Sequence, residues 1–189
     1  MSVYPVGTTI HSPQTGETLT FRSTRESSNG KLFQAELLLE PGTYVSRSHI
    51  HPAQEERFVV LEGRFGWRIG NKTGVAGPGE TLIAPKGVPH NQWNAGETPV
   101  RIYYEHRPAL DSTEVFFETQ FGLSNEGKLT KSGDFPLLQG AVLLEEVCDF
   151  IRPSSPPVWL QKLVFPILVP IGKLMGLRAR YARYALKVK

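Results

Sequence analysis

Sulfur chemistry is almost absent: 189 residues contain one cysteine, Cys148. An intrachain disulfide is therefore excluded, and so is a thiolate-rich zinc or iron–sulfur site. No basic start followed by an apolar run comes after Met1, where Val3 and Tyr4 lead directly into Pro5. No secretory signal is expected from that pattern, and the expected compartment is a reducing cytoplasm. Internal repeats and low-complexity tracts are missing too. Acid disappears after Asp149, whereas seven of the 21 Lys and Arg residues fall from Pro157 onward. That leaves 14 bases against 18 acids in residues 1–156, net −4, and a tail of +7. The tail's bases trail an apolar stretch and are not interleaved with aromatics on a formed surface, so nucleic acid is not an expected partner.

What is present is a folded composition, 40% apolar and 21% charged, with 18 glycines and 15 prolines. That many turn formers favour short strands over long helices. Two β-prone pieces, residues 8–11 and 18–21, flank a turn at Ser12-Pro13-Gln14-Thr15-Gly16 and read as a hairpin. Residues 31–40 alternate apolar and polar up to Pro41-Gly42, the period of a half-buried strand. Further strands are expected at 43–51, 56–62, 64–69, 80–84, 89–93 and 99–105, split by Gly63, Gly70-Asn71, Gly77-Pro78-Gly79 and Asn94-Ala95-Gly96. Short strands at near-regular spacing predict an antiparallel sandwich or barrel. After Pro108 the pattern turns helical: a short helix around Phe116, Phe117, Phe121 and Leu123, and a longer one over 137–150. Residues 158–177 are strongly apolar but interrupted by Lys162, Pro166, Pro170, Gly172 and Lys173.

Three of the five histidines carry the chemistry. His49 and His51 stand at i and i+2, so on a strand they share a face about 6.5–7 Å apart. Glu56 follows far enough on for the next antiparallel strand to return its carboxylate to the same centre. His90, just past Pro85-Lys86-Gly87, closes the set from another strand. Three neutral imidazoles and one carboxylate suit one divalent transition metal (Fe, Mn, Ni, Zn or Co) and leave about two cis positions open on an octahedral ion. Open positions belong to catalytic metals more than to structural ones.

These residues resemble the cupin family, small metal-binding β-barrels. The first motif of that family is met by His49-Ile50-His51, Glu56 and Gly63, with Gly42 one residue further upstream than the family spacing. The second is met without a gap by Gly79, Pro85, Gly87, His90 and Asn94. The resemblance covers roughly residues 30–107. It implies a mainly β chain with a cupin jelly-roll β-barrel over 1–108, to which the helical pattern after Pro108 adds a C-terminal α-helical extension over 109–189. It also implies His49, His51, Glu56 and His90 as metal ligands and a homodimer. The flanks resemble a bacterial subgroup of single-barrel cupins with a His-x-His-Pro-x-Gln-Glu-Glu core and an apolar, arginine-ended tail; that subgroup implies no particular activity.

The remaining candidates read as structural. Asn94 and Gly63 suit tight turns, Glu55 a solvated strand edge, His11 the surface, and His106 the end of a strand. Cys148 reads as an inert thiol within a helical pattern. Phe65, Trp67 and Ile69 share a face that reads as core, with an apolar ligand pocket as the alternative. The tail is expected to form broken helices that bury Trp159, Leu163, Val164, Phe165, Leu168 and Leu174 on the barrel or on a second subunit; contact with a membrane surface is the less favoured reading.

Two classes of function follow. One is a metal enzyme on a small organic molecule, with a dioxygenase preferred over an isomerase or hydrolase and Glu56 as the catalytic residue. The other is a non-catalytic cupin that binds a small ligand or a metal.

Overall fold

The computed structural model describes residues 4–43 and 47–184. Strands β1 (Thr9–Ser12) and β2 (Glu17–Ser23) form the expected hairpin, and β2 pairs with β3 (Phe33–Leu39). In β3 the period of two is strict. Phe33, Ala35, Leu37 and Leu39 are buried, while Gln34, Glu36 and Leu38 are only half-buried. The chain continues through β4 (His49–Ile50), β5 (Glu55–Glu62), β6 (Phe65–Ile69), β7 (Lys72–Ala76), β8 (Thr81–Ala84), β9 (His90–Asn94) and β10 (Val100–Arg107).

These strands form two antiparallel sheets. One runs β1-β2-β3-β10-β5-β8; the other runs β4-β9-β6-β7, with β11 (Arg152–Pro153) added at the β4 edge. The jelly roll is thus the architecture of the chain, and three helices follow β10 among the described residues. Gly63 makes the turn from β5 to β6 at φ +82°, where a Cβ would also lie 2.7 Å from the Pro99 carbonyl oxygen. Only glycine suits that corner.

Helices α1 (Asp111–Asn125) and α2 (Leu137–Val147) lay Val115, Phe117, Phe121, Leu143 and Val147 into the same hydrophobic core as Phe21, Phe33, Phe58 and Ile102 of the barrel. Helix α3 (Val158–Leu174) packs chiefly against α2.

Several expectations need correction. The first helix is 15 residues long, not short. Strand β7 lies where no strand was expected, between Gly70-Asn71 and Gly77-Pro78-Gly79, with Gly74 at its centre. Its missing side chain makes room for the Trp67 indole, which would lie 2.9 Å from a Cβ there. Of the strand expected at 43–51 only His49–Ile50 is strand, and residues 44–46 lie outside the described residues. Helix α3 is continuous through Pro166 and Pro170. Both prolines lie on its exposed side, so the carbonyls they deprive of a donor stay within reach of water. Within the single chain, Trp159, Leu163 and Leu174 are 68%, 64% and 89% exposed, and not buried. Val164, Phe165 and Leu168 are half-buried. The end of the expected tail, 185–189, lies outside the described residues.

Candidate metal centre

Sheet register brings the four motif residues together. His49 on β4 stands opposite His90 on β9, and Glu56 on β5 stands between Ala84 on β8 and His106 on β10. In β5 the residues Glu56, Phe58 and Val60 face inward, and Glu55 faces solvent, as the alternation requires. His51 lies just past β4. His49, His51, Glu56 and His90 are all buried, and one donor atom from each lies within 4.8 Å of all the others.

The imidazoles are oriented by backbone carbonyls. Nδ1 of His49 is 3.0 Å from the Arg47 oxygen, Nδ1 of His51 is 2.6 Å from that of Phe150, and Nδ1 of His90 is 2.8 Å from that of Val88. A carbonyl oxygen only accepts, so each Nδ1 carries the proton and donates. The Nε2 of each neutral ring is then a lone pair. Nε2 of His90 and of His51 lie 2.5 and 3.4 Å from Oε2 of Glu56. Neither nitrogen and neither carboxylate oxygen makes a hydrogen bond of good geometry, and all are sealed from solvent.

Lone pairs facing a buried carboxylate repel unless something positive lies between them: a proton or a metal cation. Burial raises the Glu56 carboxyl, but the fields of His51 and His90 and the contact with His106 outweigh it and hold the group well below the usual carboxylate range. Burial pushes His49 well below the ordinary imidazole value, with His51 and His90 adding to the effect, so this ring stays neutral. Burial also opposes charge on His90, but the Glu56 carboxylate overcomes it and raises the group. The donors suit a divalent ion. Atoms about 2.1 Å from a shared metal sit about 3–4 Å apart, and the four donors here all lie within 4.8 Å of one another.

Sequence reasoning missed neighbours from two places, strand β10 and the turn after α2. His106, read as structural, is fully buried, with Nε2 3.4 Å from Oε1 of Glu56 and its ring 4.6 Å from that of His51. Burial pushes it down to about 4, with Glu56 only partly compensating, so it is neutral. Tyr104 shares that face. Burial first, and then the nearby Glu56 charge, raise its hydroxyl well above the ordinary phenol range. The signal was available: counting by two from the buried Val100 through Ile102 and Tyr104 lands on His106. The second miss is Phe150. Its carbonyl orients His51, and its ring lies 4.8 Å from His51 and 5.0 Å from His106. With Phe33 and Phe117 it forms an aromatic wall beside the centre.

The bland readings hold elsewhere. The Asn94 side chain donates to the Leu39 and Thr98 carbonyls and accepts from Gly96 N–H, the work of a turn residue. His11 is exposed beside Thr18, whereas Cys148, expected inside a helix, is a half-buried free thiol just past the end of α2. Phe65 is core, with Trp67 and Ile69 packed against it.

Residues 35–104 match the Cupin domain family. Germin-like protein subfamily T member 2 of Arabidopsis thaliana is 34% identical over 83 residues, 41% of this chain. The chain spans 38% of the length of that curated relative. Among solved structures, a predicted oxalate decarboxylase from Thermotoga maritima aligns with TM-score 0.49 and 20% identity over 57% of this chain and 96% of that one. KdgF from a Halomonas species aligns with TM-score 0.47 and 16% identity over 52% and 85%. An RmlC-like cupin from Shewanella frigidimarina gives TM-score 0.46 and 19% identity over 53% and 83%.

Proposed function

Because residues 35–104 are a cupin domain, we propose that this chain is a mononuclear metal enzyme, a dioxygenase acting on a small organic molecule. The carrying observation is the convergence of three imidazoles, each tied at Nδ1 to a carbonyl, on the Glu56 carboxylate. His49, His51, Glu56 and His90 hold the ion. When bound, Fe, Mn, Ni, Zn or Co supplies Lewis acidity, and the redox-active ions also supply electron transfer.

The chain's own residues do the rest. Glu56 stays ionised and directs Oε2 to the centre, while Oε1 faces His106. It is the one carboxylate in the donor set and the candidate to take a proton from the substrate. Tyr104 keeps its proton beside it. Phe33, Phe117 and Phe150 exclude water, which favours apolar co-substrates such as dioxygen and strengthens electrostatic contacts in the site.

That same closure favours a second reading, in which the barrel retains a metal or a small ligand without turnover. One experiment separates the two. Purified protein is analysed for metals, and oxygen uptake is then followed with a panel of enols, phenols and diketones. Uptake that is abolished by His51→Ala supports the enzyme. Metal at about one per chain with no uptake across the panel supports the binding protein.

A further inference from the structure

Helix α3 has a buried side and, opposite it, an exposed apolar one. Gln161, Val169 and Gly172 are buried. Trp159, Leu163, Ile167, Ile171 and Leu174 form a second, outward stripe, 68%, 64%, 63%, 45% and 89% exposed. Their spacing of four, four, four and three residues keeps them on one face, and no charged residue lies among them. The 17-residue helix is about 25 Å long, and among the described residues no helix is long and apolar enough to cross a membrane.

Along one edge of this face stand Lys162 and Lys173, and beyond the helix stand the exposed Arg178, Arg180 and Arg183. Lys173, Arg180 and Arg183 lean on Glu145, Glu146 and Glu126, all exposed pairs that an outside anion can compete for. The lysine edge borders a groove of about 530 Å3 between α2 and α3, floored by Leu144, Phe165 and Val169 and rimmed by Arg152, Lys162 and Lys173, with Glu145. The sequence adds no acid after Asp149.

We propose that α3 docks in the plane of an anionic lipid surface, its outward stripe among the acyl chains and its cationic edge against the headgroup phosphates. Charge decides between this occupant and a second copy of the chain. Glu126, Glu145 and Glu146 offset part of the tail's charge, but pairing two α3 faces still brings two net-basic edges together, whereas an anionic leaflet neutralises each of them. Trp159 at the start of the stripe suits the headgroup boundary.

The test is flotation of the full chain with vesicles of phosphatidylcholine alone or mixed with phosphatidylglycerol. Binding to the mixed vesicles, weakened in high salt, is expected. Leu163→Asp and Ile167→Asp alter exposed positions, so circular dichroism should be unchanged, while partitioning falls at least about tenfold for each. Lys162→Glu should lower binding to mixed vesicles several-fold. Equal flotation with neutral vesicles overturns the anionic assignment. No flotation overturns the proposal, and so does a dimer in light scattering that Leu163→Asp dissociates without any vesicle binding. All arms are independent of the barrel's metal chemistry.

Discussion

Nδ1 of His51 donates to the carbonyl of Phe150 at 2.6 Å across 99 residues of sequence. His51 is thereby aimed by the turn that follows α2, and β11, two residues later, pairs with β4 beside His49. The helical extension is thus built into the candidate metal centre. Phe150→Ala should cost about 3–5 kcal/mol of stability through the lost ring volume. It should also weaken metal binding about tenfold by loosening the turn that holds His51. Thermal melts and a chelator competition on the same protein check both; unchanged metal affinity would detach the extension from the site.

Purified protein should carry about one divalent transition metal per chain. His51→Ala or His90→Ala should abolish stoichiometric metal, because each removes a donor and leaves Glu56 buried with one fewer partner. Elemental analysis decides, and full metal content in either variant refutes the ligand set. The β-rich circular dichroism spectrum should persist, since the hydrophobic core shared by the barrel and helices α1 and α2 contains none of the four histidine and glutamate donors.

His106 separates positioning from coordination. Facing Oε1 while His51 and His90 face Oε2, it steadies the carboxylate without being one of the four convergent donors. His106→Ala should keep one metal per chain but lower affinity about 10- to 100-fold, with His106→Gln recovering part of the loss. Titration with cobalt, read by its visible absorption, follows both number and geometry. Complete loss of metal would make His106 a ligand.

Glu17 supplies a pH dependence remote from the metal. Burial pushes its carboxyl up to about 7, against a lowering by the Thr15 hydroxyl, which donates to Oε2 at 2.6 Å. A raised folded-state value means that the native state holds a proton the unfolded chain has released. Stability from this group is therefore lost as pH rises from about 4.5 to about 7, by up to on the order of 3 kcal/mol. Glu17→Gln should melt like the parent at pH 4.5 and above it at pH 8. A variant less stable than the parent at pH 8 would contradict this.

The strand alternation, the turn glycines and the two histidine motifs were legible in the sequence, because each depends on spacing along a single strand or turn. The barrel and the four convergent donors follow from those local periods. His106 and Tyr104 were also within reach of the period of two in β10, but nothing local says that this face meets Glu56; the β5–β10 register does. The role of the Phe150 carbonyl was beyond the sequence, since every residue has a carbonyl and only the packing of α2 onto the barrel selects this one. The exposure of α3 belongs to tertiary structure for the same reason. Apolar composition predicts that a helix seeks cover, and only the arrangement of its neighbours determines which face finds it: Val169 against the body, Leu163 and Ile167 toward the outside.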